Sequence, residues 1–189
     1  MIRAIIFDCF GVVISDALES LVTPLREQNP NAANEVVEII HAHNRGLITP
    51  EDSNGQVATL LGMTTEEYQT AISTGEVKDQ QLLTYIKGLR ANYKTAMLSN
   101  IDGAGLRGRF QDGELDDAFD LVVASGDIGY AKPEARAYEI AAEQLGVRLD
   151  ECIFTDDRQH YCDGAQAVGM RSILYENLFQ FRRDLEALL

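Results

Sequence analysis

Several residue types are scarce in this chain of 189 residues. It has no tryptophan, four prolines and three cysteines. Its 16 Lys and Arg residues are outnumbered by 30 Asp and Glu residues, which gives a net charge of −14 at pH 7. Such an acidic chain is repelled by nucleic-acid phosphates and by anionic lipid head groups. We therefore expect neither a nucleic-acid partner nor a membrane partner.

The three cysteines, Cys9, Cys152 and Cys162, form no CxxC motif and cannot all pair with one another. Two of them lie in apolar runs, where a thiol behaves as a small hydrophobic group. No apolar run approaches the roughly 20 residues that span a bilayer. The first apolar run is interrupted by Asp8, which is unlike a signal peptide. Together these observations predict a reduced, cytoplasmic setting.

Five short apolar runs are typical of buried strands. They lie at residues 3–9, 93–99, 120–125, 151–156 and 171–175. Most do not alternate polar and apolar residues, which indicates that both faces of a parallel sheet are covered. Helical patterns separate them, such as residues 132–146, where Pro133 suits the first helical position and Gly146 suits the helix end. The alternation predicts an α/β fold with an open, Rossmann-like parallel sheet.

Residues 16–78 depart from this alternation. They contain the helix-start signals TPED at 49–52 and TTEE at 64–67, and no convincing strand. We therefore predict a core formed by residues 1–15 and 79–189, with residues 16–78 inserted as a helical module. An irregular extra layer on the same core is the alternative.

Four of the predicted strands are followed by polar residues. Because ligands bind at the carboxyl ends of the strands in an open parallel sheet, we expect these residues to meet at one edge. They are Asp8; Ser99 with Asn100; a loop that carries Asp127 and Lys132; and Asp156 with Asp157. A single aspartate after a strand is usually a turn or helix-capping residue. The conjunction of four such signals predicts a functional site.

The residue types at this edge indicate a cation and a phosphate. Crowded carboxylates repel one another unless a cation balances their charge, and oxygen ligands suit Mg²⁺. Lys132 precedes a predicted helix start, where the helix dipole disfavours a positive charge, so an anion is expected beside it. Ser99 and Asn100 stand where a strand runs into a loop or helix start, a setting that suits phosphate.

The segments FDxxGVV, LSN, KPE and FTDDRQHYCDGAQAVGM occur in this order along the chain. They resemble the four motifs of the haloacid dehalogenase-like (HAD) hydrolase superfamily. The helical insertion after the first motif is similar to the small mobile cap of that superfamily's first subclass. The resemblance spans the whole chain and implies a HAD core, an inserted helical cap (residues 16–78) and hydrolase activity.

The resemblance also implies roles for the residues that match the motifs. Asp8 would be the nucleophile and would form an aspartyl-phosphate. Ser99 and Asn100 would hydrogen-bond the transferring phosphoryl group. Lys132 would offset the charge on both nucleophile and phosphate, so that Asp8, Ser99 and Lys132 would carry the catalysis.

For the cofactor, the resemblance implies Mg²⁺ bound by Asp8, by Asp157, by Asp156 as a second or outer ligand, and by the backbone carbonyl of Phe10. Two positions depart from the family pattern. The family has an acid two places after the nucleophile, working as general acid and base, whereas Phe10 cannot move a proton. Tyr161 stands where relatives often have Asn or Asp.

The leading hypothesis is a Mg²⁺-dependent phosphatase of a small phosphorylated metabolite. A 2-haloacid dehalogenase is the first alternative, since the aromatic-glycine pattern of those relatives is similar to DCFGV. Those enzymes attack carbon and need no metal, and the pair Asp156–Asp157 argues against them. A catalytically degenerate HAD-fold binding protein remains a further alternative.

Two other classes fit the sequence less well. A phosphoacceptor receiver domain carries its acidic pair after the first strand, whereas here the pair follows the fourth. Phosphonate hydrolysis through a lysine imine needs a cap lysine, and residues 16–77 contain none.

Overall fold

The computed structural model describes all 189 residues of the chain. Its five strands are parallel and form one sheet in the spatial order β3-β2-β1-β4-β5. The strands are β1 (Ala4–Phe7), β2 (Lys94–Ser99), β3 (Leu121–Ala124), β4 (Cys152–Asp156) and β5 (Arg171–Leu174). The five predicted strands and the parallel α/β fold are therefore confirmed.

Eleven α-helices complete the chain. They are α1 (Ala17–Gln28), α2 (Pro30–Asn44), α3 (Pro50–Leu60), α4 (Thr65–Gly75), α5 (Gln80–Leu89), α6 (Gly103–Arg107), α7 (Glu114–Ala118), α8 (Ser125–Ile128), α9 (Ala135–Leu145), α10 (Gln159–Ala167) and α11 (Leu178–Leu188). None of them combines the length and the apolar composition that a membrane crossing requires.

Apolar side chains cover both faces of the sheet. Successive residues of a strand point to opposite faces, so Ile6 and Phe7 of β1 face different layers. Ile6 belongs to a buried cluster that includes Tyr138 of α9. Phe7 packs edge-on against Phe119 and Phe181, at centroid distances of 6.2 and 5.5 Å. This double cover explains why the strand sequences are continuously apolar.

Helix α9 begins two residues later than the sequence predicted. Pro133 was expected at the first helical position, but the helix begins at Ala135, with Glu134 as its N-cap. The Glu134 N–H donates to the carbonyl oxygen of Ala131 (2.8 Å), so the intervening residues form a turn before the helix. The predicted helix end is confirmed, since Gly146 adopts φ +67°, which glycine tolerates without steric cost.

The chain separates into two compact units. The first comprises Met1–Val13 with Asp79–Leu189 and contains the sheet, and the second comprises Ile14–Lys78 and contains α1 to α4. The function of the second unit as a cap stays a prediction.

Two helices of the second unit begin where the sequence signals predicted. Before α3, the Thr49 hydroxyl accepts from the Asp52 N–H (3.1 Å). Before α4, the Thr64 hydroxyl accepts from the Glu67 N–H (3.1 Å), and the Glu67 carboxylate accepts from the Thr64 N–H (2.7 Å), which completes a capping box. An apolar cluster holds the four helices together: Val22, Ala33, Val36, Ile39, Val57, Ala58 and Tyr68.

Candidate active site

The carboxyl ends of three neighbouring strands meet at one edge of the sheet. Phe7, the last residue of β1, pairs with Met97 of β2 and with Thr155 of β4. The Asp8 N–H donates to the carbonyl oxygen of Thr155 (2.9 Å), which extends the pairing by one residue. The first predicted site residue, Asp8, therefore lies between the ends of β2 and β4.

Lys132 joins the first and the last motif. Its ammonium donates to Asp8 Oδ1 and to Asp156 Oδ2, both at 2.6 Å, and all three side chains are buried. The same nitrogen lies 5.3 Å from the ring centroid of Phe154 and 4.9 Å from that of Tyr161. Burial by itself would lower the pKa of Lys132, but the two carboxylates raise it above its ordinary value. Lys132 is therefore a buried cation held by two carboxylates and two rings.

Asp157 completes an acidic cluster. One carboxylate oxygen from each of Asp8, Asp156 and Asp157 lies within 4.8 Å of the others. Burial raises the pKa of Asp8 to about 7; Lys132 opposes this rise and Asp156 adds to it. With every group ionised, three negative charges stand against one positive charge. The cluster brings together all three aspartates that the sequence predicted as metal ligands.

Gly11 allows the loop after β1 to pass against Asp157. Its φ is +85°, and a Cβ atom added there would lie 2.3 Å from Asp157 Oδ2. Both the backbone conformation and the missing side chain are therefore needed at this position. The close approach places the first motif directly against the last one.

The Asn100 side chain holds the backbone of Lys132. Its Oδ1 accepts from the Lys132 N–H (2.8 Å), and its Nδ2 donates to the Lys132 carbonyl oxygen (2.9 Å). Nδ2 also donates to the hydroxyl of Tyr161 (3.3 Å). Both amide hydrogens of this side chain are thus used within the protein. The sequence did not predict this arrangement.

Ser99 and Phe10 stand beside the cluster residues. Ser99 is fully buried, and its hydroxyl has no hydrogen-bond partner in the protein. A buried polar group without a partner is costly, which indicates that a ligand completes it. Phe10 is partly exposed, and the Arg109 guanidinium lies 5.1 Å from its ring centroid. The Phe10 side chain offers no oxygen to a cation, so only its backbone carbonyl can serve there.

Asp127 does not join the cluster, although the sequence placed it at the same edge. It lies in α8, is exposed, and pairs with Arg107 at 3.3 Å. Tyr161, by contrast, is buried against Lys132, and the sequence marks it only as a departure from the family pattern. An aromatic residue in the first turn of the helix after the acidic pair is the signal that marks it.

Comparison with known proteins identifies the family. The model of the haloacid dehalogenase-like hydrolases matches residues 2–169, a span that includes all four motifs. The protein belongs to this family. The resemblance of the motifs is thereby confirmed.

Two relatives of this HAD-like hydrolase differ in their named activities. Phosphatase MT3486 of Mycobacterium tuberculosis is 42% identical over 86 residues, which cover 43% of this chain and 40% of that protein. (S)-2-haloacid dehalogenase 1 of a Pseudomonas species is 25% identical over 191 residues, which cover 91% of this chain and 83% of that protein. The match thus spans less than half of the mycobacterial phosphatase, and identity alone does not decide between the two activities.

Solved structures of HAD proteins share the fold. A HAD family enzyme of Bacteroides thetaiotaomicron, in complex with magnesium and inorganic phosphate, gives a TM-score of 0.73 at 21% identity and covers 96% of this chain and 99% of that chain. The L-2-haloacid dehalogenase of Xanthobacter autotrophicus, with chloropropionic acid covalently bound, gives a TM-score of 0.64 at 19% identity. This match covers 99% of this chain and 83% of that chain. At these identities the likeness establishes the HAD fold.

Proposed function

We propose that this HAD-like hydrolase is a Mg²⁺-dependent phosphatase that acts on a small phosphorylated metabolite through an aspartyl-phosphate on Asp8. The buried cluster of Asp8, Asp156 and Asp157 around Lys132 carries the proposal. Its excess of two negative charges matches a divalent cation, since crowded carboxylates ionise together only when a cation balances them.

The donor set fits Mg²⁺, a hard cation that prefers oxygen ligands. Asp156 Oδ2 accepts from Lys132, and its Oδ1 accepts from the Arg158 N–H (2.9 Å), so each oxygen already serves a protein donor. Asp157 is therefore the better direct ligand, together with Asp8, and Asp156 serves as a second or outer ligand. The bound ion would supply electrostatic stabilisation of the phosphoryl oxygens.

The Phe10 carbonyl is the remaining ligand in the proposed set. It is a backbone oxygen, so the change of side chain does not remove it. What Phe10 does remove is a carboxyl group that could protonate the leaving oxygen or activate water. The phosphatase should therefore favour good leaving groups or borrow a proton donor from its cap or its substrate.

In this proposal Asp8 attacks phosphorus. Its Oδ1 is bonded to Lys132, and Oδ2 lies outside that ion pair. Attack forms a bond from the carboxylate oxygen to phosphorus and breaks the bond to the leaving oxygen. Water then attacks phosphorus, which releases phosphate and restores Asp8. In this proposal Lys132 offsets the charge of the phosphoryl group, and the buried Ser99 hydroxyl donates to one of its oxygens.

The second unit, Ile14–Lys78, is proposed as the cap that selects the phosphorylated metabolite, as the family resemblance implies. The proposed setting is the cytoplasm. All three cysteines are free and buried, which supports a reducing environment.

Dehalogenation of a 2-haloacid is the second candidate, because an aromatic residue and a glycine, Phe10 and Gly11, follow Asp8 and because the Pseudomonas dehalogenase aligns with 91% of this chain. In that reaction Asp8 would attack carbon and displace a halide. That reaction needs no divalent cation, whereas Asp156 and Asp157 beside Asp8 form a group that could hold one, and this favours the phosphatase.

An assay of two products separates the candidates. Phosphate release from an aryl phosphate is measured with Mg²⁺ and with a chelator, and chloride release is measured with a 2-chloro acid. We expect phosphate release that the chelator abolishes. Chloride release that persists in chelator would establish the dehalogenase, and the absence of both products would leave a binding protein.

Asp8→Asn tests the nucleophile. Because an amide is a far poorer nucleophile than a carboxylate, we expect turnover to fall by about 10³-fold or more while the circular dichroism spectrum stays unchanged. Asp127→Asn is the matched control, since Asp127 is an exposed aspartate outside the cluster. Near wild-type turnover in Asp8→Asn would end the covalent mechanism.

A further inference from the structure

Tyr161 places a phenol group among the side chains of the site. The residue is buried, its hydroxyl accepts from Asn100 Nδ2 at 3.3 Å, and its ring centroid lies 4.9 Å from the Lys132 ammonium. The Tyr138 hydroxyl donates to the Tyr161 carbonyl oxygen (2.8 Å), which fixes the first turn of α10 against α9. The phenol is therefore held in place from its backbone and from its ring.

The Tyr161 hydroxyl keeps its own hydrogen for donation. A phenol can donate once in addition to accepting. The oxygen accepts from Asn100, and the O–H has no acceptor in the protein. Burial raises the pKa of Tyr161 above its ordinary value, with Asp156 and Asp8 adding to the rise and Lys132 and Arg158 opposing it, so the phenol stays neutral near pH 7.

The Asn100 side chain cannot supply that donor. One of its amide hydrogens goes to the Lys132 carbonyl oxygen, and the other goes to Tyr161. While it holds the Lys132 backbone, the amide has no hydrogen left for a ligand. The Tyr161 O–H, next to this amide, is the hydrogen that stays available.

Resting on the proposed phosphatase function, we propose that Tyr161 is a further catalytic residue, whose O–H donates to an oxygen of the phosphoryl group bound at Asp8. The anion then meets two neutral hydroxyl donors, Ser99 and Tyr161, in addition to the Lys132 cation. Neutral donors suit this site because they add hydrogen bonds to a dianion without further change in the charge of the cluster.

Tyr161→Phe removes the hydroxyl and keeps the ring over Lys132. We expect kcat/KM for an aryl phosphate to fall by about 10²-fold. The dissociation constant of inorganic phosphate, measured calorimetrically with Mg²⁺ present, should rise by about tenfold. Tyr85→Phe is the control, because Tyr85 packs against Phe181 and Arg182 and should leave both values unchanged.

A second variant separates donation to phosphate from support of Asn100. Replacement of Tyr161 by 3-fluorotyrosine makes the phenol a stronger donor and a weaker acceptor, when measured below the pKa of the fluorinated phenol. If the hydroxyl donates to phosphate, the affinity for phosphate is at least that of the wild type. If it serves only to accept from Asn100, the affinity falls, as in Tyr161→Phe, and the proposal is wrong.

The two proposals fail in different ways. A wild-type protein that neither binds phosphate with Mg²⁺ nor releases it from an aryl phosphate overturns the phosphatase function. A wild-type protein that does both, beside a Tyr161→Phe variant with unchanged kcat/KM and phosphate affinity, overturns only the role of Tyr161.

Discussion

Two clusters of charged residues lie at opposite edges of the same sheet. At the carboxyl edge, Lys132 is bonded to Asp8 and Asp156. At the amino edge, Arg90 donates to Asp120, the residue before β3. Both clusters join a cation to carboxylates, and they differ in burial: the side chain of Lys132 is 1% exposed, whereas those of Arg90 and Asp120 are 32% and 34% exposed.

The difference in burial indicates different roles for the two clusters, stabilisation of the fold for the exposed one and catalysis for the buried one. The exposed cluster ties strands together, because Asp120 Oδ2 also accepts from the Thr95 N–H at the start of β2 (2.8 Å). A buried ion cluster, by contrast, carries a desolvation cost that its attractions only partly offset, so apolar residues would serve stability as well. A buried cluster retained at that cost indicates a functional role.

Removal of the buried cation should have the largest effect. Lys132→Met leaves the carboxylates of Asp8 and Asp156 buried without their shared partner, and we expect the free energy of unfolding to fall by about 3–5 kcal/mol. Turnover should be lost as well, because nothing then offsets the charge of nucleophile and phosphate. Urea unfolding in chelator, followed by circular dichroism, measures the first effect.

Lys87→Met is the matched control at an exposed ion pair. Lys87 pairs with Asp117 at 3.1 Å, with both side chains well exposed, so we expect a loss of about 0.5 kcal/mol or less. Equal unfolding midpoints for the two methionine variants would contradict the distinction between buried and exposed ion pairs.

A carboxylate added beside the buried cluster should have the next largest effect. Phe10→Asp supplies the missing general acid and base, a group worth roughly 10²–10⁴-fold in rate. The turnover of alkyl phosphates should show most of this rate increase, because an alkoxide leaves badly without a proton. The rate of aspartyl-phosphate formation from an aryl phosphate should rise little, because a phenolate leaves easily.

Two measurements test this prediction. Steady-state turnover of a sugar phosphate reports the alkyl reaction, and single-turnover rates with an aryl phosphate report the first step. A folded Phe10→Asp variant that binds Mg²⁺ without a gain in the alkyl rate would show that another residue already supplies the proton.

The sheet and its acidic edge could be predicted from the sequence because both depend on local patterns. Continuous apolar runs identify the strands, and parallel pairing then brings Asp8, Asp156 and Asp157 together. The bonds from Asn100 could not be predicted, because their partners lie 32 and 61 residues away and depend on side-chain orientation. The start of α9 was missed for a related reason, since helix propensity does not reveal the turn that precedes it.

A smaller effect than at the buried cluster is expected at the exposed cluster. Asp120→Asn should keep one acceptor for the Thr95 N–H but lose the ion pair with Arg90. Because the pair is about one-third exposed, solvent screens it, and we expect a loss of about 1 kcal/mol at pH 7 with no change in turnover. Thermal or urea unfolding, beside the aryl phosphate assay, measures both.

The pH dependence of this loss of stability shows whether the charge of Asp120 stabilises the sheet. Burial by itself would raise the pKa of Asp120, but the Thr95 N–H and Arg90 hold it below its ordinary value. A carboxylate with a depressed pKa stabilises the fold above the pKa of the unfolded chain, about 3.9 for Asp, and loses this contribution as the pH falls through the folded value. The stability difference between wild type and Asp120→Asn should therefore be constant from about pH 5 to pH 8 and shrink below about pH 4. A difference that persists at low pH would assign the role of Asp120 to side-chain shape and neutral hydrogen bonding, and the exposed cluster would then stabilise the sheet without its charge.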